Sequence, residues 1–294
     1  MLSAPALRSS VSYDEYARTP GVRISALKEL GRSALHYRHH LVTPKESRPL
    51  TLGSAAHCAV LEPERFERDH AIWGERTDGG ALRPRRGKDW ESFAALNAGR
   101  TILTEDEHTA ALAIRDAVRG CDVAMRYLRK GEAEVTMQWT DASTGTPMKG
   151  RADWLTKDAG YPVLVGLKTT RDCRSILFGV QAARLSYHLA WAAYADGYAA
   201  ITGTAPKMIE IVVESAPPHD VAVYVITSEI IEQGRGEYHD LLVRLAACER
   251  DNDWPGAVPG ETQLRLPPWA FDTDDDVSGL GLEGFSDERS REST

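Results

Sequence analysis

The sequence has few cysteines and no membrane-length apolar run, and each absence excludes a class of protein. Its four cysteines, Cys58, Cys121, Cys173 and Cys248, include no CxxC pair. This spacing predicts neither a structural zinc site nor a disulfide framework. No apolar stretch reaches the roughly 18 residues that cross a bilayer, and the first residues lack the apolar run of a secretory signal. We therefore expect a cytoplasmic protein that does not use a membrane.

The charge pattern gives opposite indications in different parts of the chain. The formal net charge of −8 over 294 residues does not by itself indicate a nucleic-acid-binding protein. A stretch rich in glycine and arginine nevertheless predicts a basic loop, and its charged residues are Arg83, Arg85, Arg86 and Lys88. Residues 271–294 are acidic with little apolar material, which predicts a disordered acidic tail.

Composition and segment boundaries predict one main domain. Hydrophobic residues make up 42% of the sequence and charged residues 27%, a balance typical of a protein with a buried core. Neither an internal repeat nor a long linker divides the chain. We expect a flexible N-terminal extension over residues 1–20, a single domain over 21–270, and the acidic tail after it.

Hydrophobic periodicity predicts helices in the first part of the chain and strands in the middle. Thr104 and Glu107 form a capping-box pattern ahead of an amphipathic helix. Residues 134–139 alternate between apolar and polar, 141–145 are turn formers, and 147–156 resume as a strand. This pattern predicts a β-hairpin.

The segments after the hairpin predict the rest of a mixed sheet. The apolar run 161–168 is typical of a strand buried on both faces. A long helix is expected over about 176–200, two strands over 208–214 and 222–227, and a last helix over about 229–248. Helices followed by a mixed sheet that helices flank predict a single α/β or α+β domain.

Three charged residues stand on the predicted central strands. Glu134 lies on the first, Asp153 on the second, and Lys168 ends the third. Carboxylates that converge at one end of a sheet can hold the divalent cation that phosphodiester hydrolysis requires, and a lysine beside it can neutralise developing charge. The same spacing also fits solvated surface charges, but an unpaired ammonium at the end of an apolar strand would be costly.

A series of short motifs resembles the RecE (exonuclease VIII) type of PD-(D/E)XK nuclease of phage and prophage recombination systems. The resemblance extends from about Gly21 to Ala270. Residues 52–63 (LGSAAHCAVLEP) are similar to the family's L-G-x-A-x-H-x-x-x-L-E-P segment. Further matching positions include Arg151 and Asp153 (family R-P-D), Lys168 and Thr169 (family D-[VL]-K-T-T), and Tyr187 and Tyr194 on the following helix.

The resemblance implies a fold and a set of roles. The fold is a PD-(D/E)XK, restriction-endonuclease-like core, a central mixed sheet flanked by helices and preceded by N-terminal helices. His57 and Asp153 are implied as ligands of Mg²⁺ or Mn²⁺, with Glu134 beside them and Lys168 assisting the nucleophile. The basic loop that contains Arg83 is implied to touch the DNA backbone.

The resemblance also implies partners and a reaction. The family consists of magnesium-dependent exonucleases that digest one strand of linear double-stranded DNA from the 5′ end. Its members form homo-oligomers, ring-like tetramers, and supply a 3′ overhang to a single-strand annealing protein. We expect the same partners here.

Two positions depart from the family pattern. Gly166 stands where the family has a metal-binding acid, and Ala190 stands where it has the glutamine of a Q-x-x-x-Y element. Trp191 is expected to fill the space of that glutamine. Three explanations stay open: another carboxylate, Glu132 or Asp172, has taken over; the protein is a catalytically silent DNA-end-binding or assembly subunit; or the substitutions were introduced to stop turnover.

Overall fold

A mixed β-sheet with helices on both faces forms the centre of the protein. The structure is a computed structural model that describes residues 5–9, 11–43, 48–74, 76, 79–80, 82–258 and 260–267, and only the backbone of residues 48–51. The acidic tail expected over residues 271–294 lies outside the described residues. Residues 1–257 form one unit and residues 258–294 a second. The described residues of the second unit contain neither helix nor strand.

The helices and strands follow one another along the first unit. The helices are α1 (Tyr13–Arg18), α2 (Ile24–Arg32), α3 (Ala34–Val42), α4 (Arg48–Leu61), α5 (Pro63–Asp69), α6 (Lys88–Leu96), α7 (Glu105–Gly120), α8 (Asp122–Leu128), α9 (Ser175–Arg184), α10 (Tyr187–Thr202) and α11 (Ser228–Asp251). The strands are β1 (Ala6–Arg8), β2 (Val22–Arg23), β3 (His70–Trp73), β4 (Thr101–Thr104), β5 (Glu132–Thr140), β6 (Pro147–Asp158), β7 (Tyr161–Thr170), β8 (Lys207–Glu214) and β9 (Val221–Val225). None of the helices in the described part of the chain has the length and apolarity to cross a membrane.

The main sheet is mixed, as the sequence predicts. Its strand order is β1-β5-β6-β7-β8-β9, and β2 pairs with β6. The strands β5, β6 and β7 form an antiparallel meander, which confirms the predicted hairpin and the strand after it. The pairing of β7 with β8 is parallel, so α9 and α10 connect them across one face. A parallel pair needs such a crossover.

Two hydrophobic clusters pack on the main sheet. One contains α2, α3, α9, α10 and α11 together with Leu164 of β7. The other contains α4, α7 and α8 together with Val163, Val165 and Leu167 of the same strand. Strand β7 is therefore buried on both faces, as its continuous apolar run predicts. The even-numbered positions of its second half lie on the face that α10 covers.

Local signals explain where several helices begin and end. The Thr104 hydroxyl accepts from the backbone N–H of Glu107 at 3.1 Å, and the Glu107 carboxylate accepts from the Thr104 N–H at 2.8 Å. This capping box confirms the predicted start of α7. The prediction of a single long helix over 176–200 is wrong, because Ser186 adopts φ +51° and separates α9 from α10. A left-handed residue interrupts the helical hydrogen bonds.

The described residues among the first twenty, 5–9 and 11–20, include a strand and a helix. Strand β1 pairs antiparallel with β5 at the edge of the sheet. Helix α1 is held at its C-terminal end by the buried ammonium of Lys149, which donates to the backbone carbonyls of Tyr16 and Ala17 at 3.0 Å each and to that of Thr19. These carbonyls offset the cost of burying a charged lysine.

Two helical glycines provide a test of the packing of α10. A Cβ atom on Gly197 would lie 2.8 Å from two ring atoms of Trp139, whereas a Cβ on Gly236 of α11 would meet nothing within 4 Å. We expect Gly197→Ala to lower the free energy of unfolding by about 1–3 kcal/mol through overpacking. Gly236→Ala should raise it by about 0.5–1 kcal/mol, because alanine is the better helix former.

Chemical denaturation of the two variants beside the wild type measures both changes. The same substitution in two helices separates packing from helix propensity. Equal stabilisation by the two alanines would contradict the close approach of α10 to Trp139.

Candidate metal centre

Three potential metal ligands converge from three elements of the fold. Helix α4 supplies His57, β5 supplies Glu134 and β6 supplies Asp153. One ligand atom of each side chain lies within 4.8 Å of those of the other two. An imidazole and two carboxylates suit a divalent cation such as Mn²⁺ or Mg²⁺. The donor set therefore fits the metal that the sequence predicts.

Asp153 is the centre of the hydrogen-bond network at this site. Its Oδ2 atom accepts from the backbone N–H of Leu167 at 2.9 Å and from Nζ of Lys168 at 3.3 Å. The same oxygen lies 3.9 Å from Nδ1 of His57. Burial tends to raise the pKa of Asp153, but Lys168 and His57 outweigh it and hold this pKa below its usual range. Asp153 is therefore ionised and oriented.

Lys168 is held between two carboxylates on neighbouring strands. Its Nζ atom lies 3.3 Å from Asp153 Oδ2 and 3.4 Å from Glu210 Oε1, and it donates to the backbone carbonyl of Leu167 at 3.0 Å. Burial alone would lower the pKa of Lys168, but Asp153 and Glu210 raise it above its ordinary value. Lys168 is thus a fixed ammonium, suited to stabilising negative charge rather than to accepting a proton.

Glu134 has a left-handed backbone conformation and a raised pKa. Its φ is +54°, a left-handed conformation that costs a non-glycine residue of order 1–3 kcal/mol and is found mostly at functional sites. Its carboxylate lies 2.6 Å from Nε of Arg151. Burial and the neighbouring Asp153 raise the pKa of Glu134 to about 7, although Arg151 opposes this.

His57 is a neutral donor at the wall of an open cavity. Burial lowers the pKa of His57, and the nearby Asp153 only partly reverses the effect. A neutral imidazole keeps the lone pair that a metal requires. The cavity has a volume of about 600 Å³. Its lining includes His57, Glu134, Arg151, Lys168, Thr169 and Tyr187.

Most of the predicted family positions surround the same cluster. Arg151, Thr169 and Tyr187 line its cavity. Tyr194 packs closely against β6, because a Cβ atom on Gly150 would lie only 2.7 Å from its ring. Burial raises the pKa of Tyr194, and its hydroxyl interacts with the Arg151 backbone. The structure therefore brings these motif residues together from α10 and two strands, β6 and β7.

The predicted basic loop does not join this cluster. Arg83 pairs with Asp89, and Arg85 pairs with Glu107 at 3.1 Å. Arg86 and Lys88 are exposed. Residues of the loop line a cavity of about 440 Å³ that shares no lining residue with the cavity of the metal cluster. Its role in DNA binding stays a prediction.

Two charged residues near the cluster are not among those predicted from the sequence. Glu210 of β8 is 1% exposed, and it is the only acid inside the apolar stretch 208–213, which is the signal that could have identified it. Lys28 of α2 is the other. Burial and the proximity of Lys168 lower the pKa of Lys28 to about 8.

The acids that the sequence suggested as substitutes for the missing carboxylate lie elsewhere. Asp172 pairs with Arg174 at 2.6 Å, and Glu132 accepts from the Ser9 hydroxyl. Neither belongs to the ligand cluster of the described residues. Gly166 itself lies on β7 between the two strands that carry Asp153 and Glu210.

Comparison with known proteins agrees with this fold. The family described as "PDDEXK-like domain of unknown function (DUF3799)" matches residues 24–264. None of the curated proteins matches the sequence. A crystal structure from Eubacterium rectale, described as a "Putative exonuclease", superimposes with a TM-score of 0.59 at 13% identity, covering 88% of this chain and 96% of that one.

Two more distant structures support no further comparison. Protein VC1899 from Vibrio cholerae gives a TM-score of 0.22 at 12% identity, covering 82% of this chain and 58% of its own. SSO0001 gives 0.29 at 14% identity, covering 76% and 85%. The shared architecture with the first structure is a likeness of fold.

The acidity of Glu134 predicts a pH dependence of stability. Between pH 4.5 and about 7 the folded protein binds a proton at Glu134 that the unfolded chain has lost. With metal chelated by EDTA, the wild type should therefore lose stability relative to Glu134→Gln as the pH rises through this window, by on the order of 2 kcal/mol. Urea denaturation at pH 5 and pH 8 measures the difference.

The exposed Glu67→Gln on α5 is the matched control for this measurement. It removes the same charge outside the cluster, so its difference from the wild type should stay nearly constant between the two pH values. A pH-independent difference for Glu134→Gln as well would show that Glu134 is not protonated near neutrality.

Proposed function

The chain belongs to the DUF3799 family of PDDEXK-like domains, and from that premise we propose that it is a metal-dependent exodeoxyribonuclease acting on linear double-stranded DNA. The observation that carries the proposal is the cluster of His57, Glu134 and Asp153, with the Lys168 ammonium 3.3 Å from Asp153. A neutral imidazole, two carboxylates and a fixed cation at the wall of an open cavity suit hydrolysis of a phosphodiester.

These residues have different roles in the proposed chemistry. His57, Glu134 and Asp153 would hold Mg²⁺ or Mn²⁺, which supplies Lewis-acid stabilisation of the phosphoryl oxygens and acidifies the attacking water. The ammonium of Lys168 stabilises negative charge as it develops on the phosphoryl group. Because Asp153 accepts from both Leu167 and Lys168, it keeps the lysine and the ligand cluster in a fixed relation.

The finer activity is proposed from the motif order along the chain. We propose RecE-like digestion in the 5′ to 3′ direction, in the cytoplasm, as part of DNA recombination in a phage or prophage setting. A ring-like homotetramer and a single-strand annealing protein are the proposed partners. The Eubacterium rectale protein, whose fold is similar, is itself described as a "Putative exonuclease".

Gly166 favours a second candidate function. A glycine contributes no ligand where the family has an acid, and one lost carboxylate weakens the binding of a divalent cation. The alternative is a catalytically silent PD-(D/E)XK subunit that binds DNA ends or assists assembly. Such a subunit would bind duplex ends without a metal requirement.

Digestion of end-labelled linear duplex DNA tests the proposed activity. We expect loss of the 5′ label from double-stranded DNA in the presence of Mg²⁺ or Mn²⁺. Lys168→Ala and Asp153→Asn should lower the rate by about 100-fold or more, since each removes an interaction with developing charge or with the metal. Lys157→Ala, an exposed lysine on the same hairpin, should digest DNA like the wild type.

The outcomes distinguish the two functions. Metal-dependent loss of label that survives in Lys157→Ala and disappears in Lys168→Ala supports the exonuclease. Undigested DNA with intact binding of duplex ends by folded protein supports the silent subunit. Loss of the 3′ label instead would contradict the proposed polarity.

The basic loop provides a separate prediction about DNA binding. Arg86 and Lys88 are exposed, whereas Arg83 and Arg85 pair with acids of the same chain. We expect Arg86→Ala/Lys88→Ala to weaken duplex binding and to reduce the slope of log affinity against log salt by about 1–2. Arg129→Ala/Lys130→Ala removes equal charge from exposed positions after α8 and is the control.

Fluorescence anisotropy over a range of salt concentrations gives both slopes. A similar decrease in the two double variants would indicate a general charge effect, and an unchanged slope for the loop variant would contradict a DNA contact there.

A further inference from the structure

Gly166 and Glu210 are direct neighbours in the sheet. Strands β7 and β8 are parallel, and their register places Gly166 beside Glu210, with Lys168 beside Val212. Because side chains alternate along a strand, Gly166, Lys168 and Glu210 share one face. That face is covered by α10, whose Trp191 packs in the same hydrophobic cluster as Met208 and Val212 of β8.

The carboxylate of Glu210 occupies the space where a side chain at position 166 would begin. A Cβ atom on Gly166 would lie 2.3 Å from Oε2 of Glu210 and 2.7 Å from its Cδ and Oε1. No real Cβ contact is that short, so the glycine is what allows the Glu210 side chain to lie across β7. The absence of an acid at 166 and the presence of Glu210 are thus two parts of one arrangement.

The residue that follows the second departure belongs to the same arrangement. Trp191, which follows Ala190 on α10, donates from its indole Nε1 to Oε2 of Glu210 at 2.6 Å. The tryptophan therefore fixes the orientation of this carboxylate. Gly166 and Trp191, the residue after Ala190, thus both lie against Glu210.

Among the described residues, the second oxygen of Glu210 is paired with Lys168. The Glu210 side chain is 1% exposed, and Oε1 makes no hydrogen bond within the described part of the chain. The nearest charged group is Nζ of Lys168 at 3.4 Å, which also lies 3.3 Å from Asp153 Oδ2. The Lys168 ammonium compensates part of the cost of burying this oxygen, and a carboxylate has further lone pairs that can bind a second cation.

We propose that Glu210 is the carboxylate that replaces the missing acid of position 166 and completes the divalent-metal centre formed by His57, Glu134 and Asp153. The inference rests on the proposed metal-dependent function. It assigns the third carboxylate of the site to β8 instead of β7. Glu210 lies outside the group of three ligands and is joined to Asp153 through Lys168. The competing role is that of a counterion for Lys168 alone, in which case Glu210 positions the lysine and does not bind the metal.

Metal binding measured without DNA separates these two roles. The full chain is titrated with Mn²⁺. The electron paramagnetic resonance signal of the free ion gives the fraction of Mn²⁺ that is bound. Glu210→Gln keeps the size of the side chain and an acceptor for Trp191, so it should fold. It should weaken Mn²⁺ binding by about tenfold or more. Glu214→Gln, the same change four residues along β8, should leave the affinity within about twofold of the wild type.

An exchange of the two positions makes the test independent of Glu210→Gln. Gly166→Asp alone should lower the midpoint of thermal unfolding, because the new side chain meets the Glu210 carboxylate. Gly166→Asp/Glu210→Ala removes that clash and returns an acid to β7, so it should fold and bind Mn²⁺ within about threefold of the wild type.

Wild-type Mn²⁺ affinity in Glu210→Gln would overturn the inference, even if DNA digestion were lost, because the glutamate would then act only through Lys168. A folded exchange variant with no recovery of Mn²⁺ binding would overturn it as well. If the wild type binds Mn²⁺ and Glu210→Gln does not, yet DNA stays intact, the metal assignment holds and the proposed nuclease function fails.

Discussion

The pairing of the half-buried Lys168 ammonium with Asp153 and Glu210 is the interaction on which the site depends. Lys168 stands on a strand that is covered on both faces, so its charge must be matched by carboxylates within the sheet. The strand order supplies them from either side, because β6 carries Asp153 and β8 carries Glu210. The placement of β7 between these two strands is therefore an electrostatic requirement as well as a packing solution.

The site also concentrates features that oppose stability. Glu134 adopts a left-handed backbone in the middle of an antiparallel pairing, and it faces the negative charge of Asp153. Arg151 offsets part of this repulsion at 2.6 Å. Such a residue persists only where its surroundings determine it completely. Here the hydrophobic clusters on the two faces of the sheet hold the strands in place. A divalent cation between the carboxylates would attract both of them. This attraction would offset the cost of placing the two negative charges together.

The sequence predicted the parts of this structure that depend on local patterns. The hairpin, the doubly buried strand that carries Lys168 and the capping box at Thr104 all follow from periodicity or from short motifs, and the structure confirms them. The clustering of His57 with Asp153 followed from the resemblance. Sequence alone could not show that Glu210 lies beside Gly166, because this depends on the register of two parallel strands joined by a long crossover. The break at Ser186 was missed because its left-handed backbone has no signal in helical periodicity.

The register of β7 and β8 changes the interpretation of Gly166. Adjacent strands lie about 4.8 Å apart, a span that a glutamate can cross and an aspartate cannot easily cross. A glutamate on β8 can therefore place its carboxylate over β7, but only where β7 has no Cβ in the way, and the distance of 2.3 Å from a Cβ on Gly166 to Oε2 shows that the space cannot hold both. The chemistry of a metal site depends on where carboxylate oxygens lie in space and not on which strand carries them. A missing acid in a linear motif is consequently weak grounds for inferring lost function when the neighbouring strand presents an acid in register.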